Sequence, residues 1–154
     1  MIEAKNIVIA TGSRPRSLPF LKIDGDRVWS SDHAVFPKAL PESLAIIGAG
    51  AIGMEFADVY NSFGAEVTVI EALDRVLPNE DKESSQTVER AFKKRGIAVH
   101  TGTRLEKADV GKNSVKLTIK KKDGKTETVE AERVLVAIGR APIIDDIGLE
   151  KAGV

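Results

Sequence analysis

The sequence contains no cysteine. That excludes disulfides, thiolate metal sites and thiol catalysis within the chain. Aromatic residues are scarce at 5%, and no basic stripe with interleaved aromatics suggests nucleic acid. Neither sign of charge is in excess, because Lys plus Arg and Asp plus Glu each total 23. No apolar run approaches the roughly 20 residues that a membrane helix needs. No basic segment followed by an apolar one marks an export signal at the N-terminus. His33 and His100 stand far apart without a metal-ligand spacing and read as ordinary loop or strand residues. These absences predict neither a metal site nor a nucleic-acid or membrane partner.

What is present is a chain of 154 residues, long enough to bury a core and to form one domain. Asn6-Ile-Val-Ile-Ala10 reads as a short strand ending at Thr11-Gly12-Ser13. Four of the six prolines, Pro15, Pro19, Pro37 and Pro41, fall in the next segment, which predicts a crossover with little regular structure. Within it, Ser31-Asp32 can cap a short helical turn before Phe36. Leu44–Ile47 reads as a buried strand. A helix over about 51–63 follows, with Ile52, Phe56, Val59 and Phe63 as its apolar stripe and Gly64 as a left-handed C-cap.

Glu66–Ile70 is β-branched and strand-like. A second helix over about 80–95 has Glu80 and Asp81 at its start, Lys93, Lys94 and Arg95 at its end, and Gly96 after it. Ile97–His100 reads as a third strand. From about Leu105 to Ala131 the apolar period becomes two, with Val115, Leu117 and Ile119 preceding an Asp123-Gly124 turn. Lys120-Lys121-Lys122 beside that turn reads as a solvated hairpin tip. Arg133–Ile138 is a last apolar strand suited to a parallel position. The pattern predicts an α/β, Rossmann-like fold: a parallel sheet with helices and an antiparallel β-meander insert. Ile7–Ser13 and Leu135–Arg140 also echo each other, each an apolar run ending at a glycine, Gly12 or Gly139. That echo suggests backbone passing close to a ligand or a second domain.

Gly48-Ala-Gly50-Ala-Ile-Gly53 lies between the first buried strand and its helix, and Glu71 closes the following strand, 18 residues after Gly53. Each piece has a separate task in holding a dinucleotide. Gly48 permits the tight turn, Gly50 lets backbone approach a pyrophosphate, and Gly53 lets helix and strand pack closely. The start of this helix carries no acid, so an anion is welcome there; the second helix already has acids at its start. The competing reading is a glycine turn that merely packs helix on strand. Glu71 can accept hydrogen bonds from a ribose diol and repel a 2′-phosphate, which favours NAD(H) over NADP(H). Arg75 is the nearest following base, and a simply solvated acid is the competing reading for Glu71. Glu55 is expected at the rim of the sheet, either near the cofactor mouth or as an ordinary boundary glutamate.

Ala10-Thr-Gly-Ser13, Gly48-Ala-Gly-Ala-Ile-Gly-Met-Glu55, Val69-Ile-Glu71, Ala137-Ile-Gly-Arg-Ala-Pro142 and Ile147-Gly-Leu149 occur in an order and spacing that resembles the flavoprotein disulfide oxidoreductases. Within these the chain looks most like the dihydrolipoyl dehydrogenases, and the likeness covers essentially its whole length. It implies three parts: 1–43, a crossover strand and Pro-rich connection from an FAD domain; 44–140, the NAD-binding domain with a meander at about 105–131; and 141–154, an outgoing connection.

The resemblance implies that Gly48, Ala49, Gly50, Ala51, Ile52, Gly53, Met54 and Glu55 wrap the pyrophosphate and reach toward the nicotinamide. It implies that Glu71 holds the adenosine ribose, Leu105 lies on the adenine side and Gly139 lies near the nicotinamide. Thr11, Gly12 and Ser13 would approach FAD in the parent protein, Arg140 would stand at the boundary between its FAD and NAD domains, and Glu55 would pair with a lysine beside the flavin. The family's FAD fingerprint, Cys-x4-Cys pair and dimerisation domain with its His–Glu pair have no counterpart here. The expectation is therefore a piece of a longer enzyme that binds NAD(H) but holds no catalytic residue for dithiol chemistry.

The implied parent acts within a 2-oxo-acid dehydrogenase complex, in the cytoplasm or, in a eukaryote, the mitochondrial matrix. The alternatives are the same domain from an NADH-linked sibling such as mercuric reductase or NADH oxidase, and a stand-alone dinucleotide-binding module.

Overall fold

Alternation of side chains along the central strands decides how this chain is layered. The computed structural model describes residues 3–153. Met1, Ile2 and Val154, at the outer ends of the expected incoming and outgoing segments, lie outside the described residues. The chain runs β1 (Ser13–Pro15), β2 (Val28–Trp29), α1 (Ser31–Val35), β3 (Ser43–Ile47), α2 (Ala51–Ser62), β4 (Glu66–Ile70) and α3 (Lys82–Lys94). It continues through β5 (Ala98–His100), β6 (Arg104–Val110), β7 (Val115–Lys120), β8 (Thr126–Ala131), β9 (Arg133–Val136) and β10 (Arg140–Pro142).

Five strands form a parallel sheet in the order β2-β9-β3-β4-β5. Leu44 and Ile46 of β3, Val67 and Val69 of β4 and Leu135 of β9 pack with Met54, Ala57 and Tyr60 of α2. The alternate residues Ala45, Ile47, Ile70, Val134 and Val136 pack with Val115, Leu117 and Ile119 of β7. The antiparallel sheet β6-β7-β8 thus covers the face of the parallel sheet opposite the helices. The expected meander is a second layer of the core. Each fully buried Leu or Ile on either face contributes about 1.5–3 kcal/mol.

Several local expectations change. The stripe Ile52, Phe56, Val59 and Phe63 is not the buried face of α2: Val59 is 45% and Phe63 70% exposed, whereas Gly53, Met54, Ala57 and Tyr60 are buried. Small residues decide this, because Gly53 and Ala57 let the helix approach the sheet closely. Tyr60 then reaches across to donate its hydroxyl to the Ala34 carbonyl at 2.8 Å. The N-cap of α1 is Ser30, one residue before the expected Ser31-Asp32. His33 lies in that helix and not in a loop, with Nδ1 accepting from Ser30 N–H at 3.2 Å.

Asn6–Ala10 forms no strand, and Ile7 and Val8 are 83% and 89% exposed. No strand among the described residues pairs with this segment, so its backbone groups and side chains face solvent. The echo between the two glycine-ended runs also has a structural outcome. The segments after Gly12 and Gly139 pair with each other as the antiparallel ribbon β1–β10. Arg140 ties it, donating to Ser13 Oγ at 2.8 Å and to the Ser13 carbonyl at 2.7 Å.

Candidate functional site

From β3 the chain proceeds to β4 and β5 on one side, while β9 and β2 lie on the other. Ligands of open parallel sheets bind beyond the carboxyl ends of the strands where the strand order reverses in this way. A groove of about 760 Å³ occupies that place. Gly48, Gly50 and Ala51 line it after β3, Glu71 and Leu73 after β4, Ile138 and Gly139 after β9, and Leu105 from β6.

The three glycines of the turn differ in what requires them. Gly48 has φ +104°, its N–H donates to the Ile70 carbonyl at 2.8 Å, and an added Cβ would lie 2.5 Å from the Ala137 carbonyl oxygen. At Gly53 an added Cβ would lie 2.0 Å from the Gly48 carbonyl oxygen. Both glycines are demanded by the protein itself. Gly50 is not: its φ of −72° and ψ of −179° suit any residue, and an added Cβ would meet nothing within 4 Å. The space above Gly50 is open groove.

Gly50 is also the N-cap of α2, whose first turn carries no acid and no side-chain cap. The first N–H groups of a helix have no intrahelical acceptor and favour an anion. Opposite them, Glu71 is only 8% exposed, so it is not a simply solvated acid. Its Oε2 accepts from Ala49 N–H at 2.6 Å and its Oε1 from Leu73 N–H at 2.8 Å. Each carboxylate oxygen has two lone pairs, so acceptor capacity remains. The backbone N–H of Glu71 donates to the carbonyl of His100, in β5, at 2.8 Å. Burial pulls the His100 imidazole below the usual histidine range, partly opposed by the nearby Glu127 carboxylate.

The groove brings together Gly48, Gly50, Ala51, Ile52, Glu71, Leu105, Gly139 and Arg140. Ala49 and Met54 are instead buried among the helix-side core residues, and Gly53 packs against the turn. Glu55 is exposed on α2 and lines a second, more open cavity of about 460 Å³ between α2 and α3, together with Leu77 and Phe92. Thr11, Gly12 and Ser13 sit at the ribbon, reaching the groove edge only through the bonds of Ser13 to Arg140. Arg75 is held in the β4–α3 connection by the carbonyls of Pro78 (2.7 Å) and Glu80 (3.3 Å). The cation on the Glu71 side of the groove is Arg104, at the start of β6. Sequence reasoning missed Arg104, because a meander residue gives no strand-end signal. Leu73 and Ile138 did carry one, since each follows a strand of the parallel sheet.

A family model described as pyridine nucleotide-disulphide oxidoreductase matches residues 1–154. The chain belongs to that family. It is 46% identical over 155 residues to a dihydrolipoyl dehydrogenase of Bacillus subtilis, covering 100% of this chain and 33% of that protein. The dihydrolipoyl dehydrogenase of Zymomonas mobilis is 44% identical, again with 100% and 33% coverage. The chain therefore spans about a third of the length of the curated relatives it matches. Among solved structures it resembles LpdA of Mycobacterium tuberculosis, with a TM-score of 0.80 and 35% identity over 92% of this chain and 30% of that one. It also resembles the water-forming NADH oxidase of Lactobacillus brevis bound to NADH, with a TM-score of 0.70 and 26% identity over 87% and 30% of the two chains. The family likeness expected from the motifs, and the α/β fold with a parallel sheet and antiparallel strands, both agree with these findings.

Proposed function

We propose that this chain is the NAD(H)-docking part of a dihydrolipoyl dehydrogenase-like flavoenzyme, serving the oxidation of dihydrolipoamide in a 2-oxo-acid dehydrogenase complex. Gly50 carries the reading. Neither its conformation nor its packing requires glycine, and a dinucleotide whose pyrophosphate lies against the backbone does. Bound NAD⁺ supplies the hydride-accepting nicotinamide; the protein supplies binding and orientation. The groove, at about 760 Å³, has the size of a ligand pocket.

In this reading the N–H groups of Gly50, Ala51 and Ile52 hold the pyrophosphate, and the Glu71 carboxylate accepts from the adenosine ribose. Leu105 supports the adenine side and Gly139 the nicotinamide side. Ala49, Gly53 and Met54 act indirectly, by fixing the turn and seating the helix. Thr11, Gly12, Ser13 and Arg140 belong to the border with the FAD part of the parent; Glu55 lines the cavity between α2 and α3 and not the groove, so it has no part in holding NAD(H) in this reading. No cysteine is present to exchange electrons with a dithiol. The chain alone is therefore expected to bind NADH and to leave dihydrolipoamide unoxidised.

The test is a fluorescence titration with NADH and NADPH of the wild-type chain and of Gly50→Val. Saturable NADH binding, weaker NADPH binding and loss of both in the variant are expected. NADH affinity that survives Gly50→Val overturns the assignment.

A further inference from the structure

The β4–α3 connection grips the glycine turn on both sides of one residue. Ala49 is fully buried. Its N–H donates to Glu71 Oε2 at 2.6 Å, and its carbonyl accepts from Leu77 N–H at 2.7 Å. The carboxylate is itself anchored by Leu73 N–H on Oε1 at 2.8 Å. Leu77 delivers its N–H from a left-handed conformation, φ +46°, that bulky residues seldom adopt. Its carbonyl accepts from Glu80 N–H at 2.9 Å and Ser85 Oγ at 3.1 Å, which ties the strained residue to the start of α3. A strained residue persists only where its surroundings over-determine it.

We propose that Glu71 and Leu77 are positioning residues that clamp the two peptide units flanking Ala49, setting the N–H groups of Gly50, Ala51 and Ile52 for a diphosphate before any ligand arrives. The inference rests on the nucleotide-docking reading and adds a second task for Glu71. If the carboxylate only reads a sugar, a diphosphate without adenosine ribose is indifferent to it. Coulomb repulsion alone makes such an anion bind more tightly once the negative charge is removed. The clamp predicts the opposite sign, because a turn that must be ordered on binding lowers affinity.

Inorganic pyrophosphate is the probe, titrated into the ¹⁵N-labelled chain while the amide signals of Gly50, Ala51 and Ile52 are followed. Wild type is compared with Glu71→Gln, which keeps the size but offers one acceptor oxygen, and with Glu71→Asp, which keeps the charge but is one methylene shorter. In the ligand-free wild type, the Ala49 amide proton is expected downfield and slow to exchange, as a short bond to a carboxylate makes it. Both variants are expected to move it upfield and to weaken pyrophosphate binding by about tenfold, the loss of one charge-assisted hydrogen bond.

NADH is titrated in parallel. Pyrophosphate binding that is unchanged or tighter in Glu71→Gln, with NADH binding weakened, overturns the clamp and leaves the docking reading standing. A wild-type chain that binds neither probe overturns both. Rapid exchange of the wild-type Ala49 amide overturns the clamp even if neither variant folds.

Discussion

Helices α2 and α3 are of similar length, 12 and 13 residues, and each follows a strand of the same parallel sheet, yet they begin in opposite ways. The start of α3 is closed on itself. Asp81 accepts from Glu83 N–H at 2.8 Å, Glu83 places a second acid in the first turn, and Ser85 bonds back to the Asp81 carbonyl at 3.2 Å. The start of α2 has none of these features: Gly50 caps it without a side chain, and Ala51 and Ile52 line a groove. A helix whose first turn is satisfied by its own residues is a structural element. One left open beside a cavity, next to a turn that a buried carboxylate holds through Ala49 N–H, is the place proposed for the anion.

Substitutions in the glycine turn separate these two kinds of demand most sharply. Gly53→Ala places a methyl 2.0 Å from the Gly48 carbonyl oxygen, a backbone atom that cannot move without shifting the whole turn. Overpacking of this kind is expected to cost about 3 kcal/mol, read from denaturant unfolding. Gly50→Val tests the other demand. It is expected to change stability by less than about 1 kcal/mol, yet to weaken NADH binding by about 100-fold, close to 2.7 kcal/mol. If the two glycines lose stability equally, the distinction between a packing glycine and a ligand glycine collapses.

Much of this contrast was legible without coordinates. The strand–turn–helix–strand–acid order, the missing acids at the start of α2 and the acids at the start of α3 are all local patterns, and local patterns survive folding. What failed depended on neighbours. The stripe of Ile52, Phe56, Val59 and Phe63 has helical spacing, but burial went to the face carrying Gly53 and Ala57, where small residues permit close approach to the sheet. Asn6–Ala10 has strand composition but no pairing partner among the described residues. Spacing offers Glu71 either a ligand or solvent. Its bonds to Ala49 and Leu73 depend on how two loops fold over each other, which spacing does not encode. Arg104 entered the groove because the meander became a second layer, a tertiary event invisible to a period-two pattern.

Two smaller effects probe the helix starts directly. Asp81→Ala removes the cap of α3 and is expected to cost about 1 kcal/mol of stability, with NADH affinity unchanged because the second helix holds no phosphate. A fall in NADH affinity in that variant points to coupling between α3 and the turn, through the Ser85–Leu77 bond.

Ala51→Asp makes the start of α2 resemble that of α3. Ala51 is exposed, so the carboxylate carries little desolvation cost, and an acid in the first turn stabilises a helix by about 0.3–1 kcal/mol at low salt. The ligand-free variant is therefore expected to melt slightly higher than wild type. The same charge lies on the groove wall where the pyrophosphate is proposed to rest, so NADH binding is expected to weaken several-fold. Both effects shrink as salt rises, since each acts between solvent-accessible charges. Opposite signs for stability and affinity identify the open helix start as the anion site. A gain in stability with affinity unchanged places the pyrophosphate elsewhere in the groove.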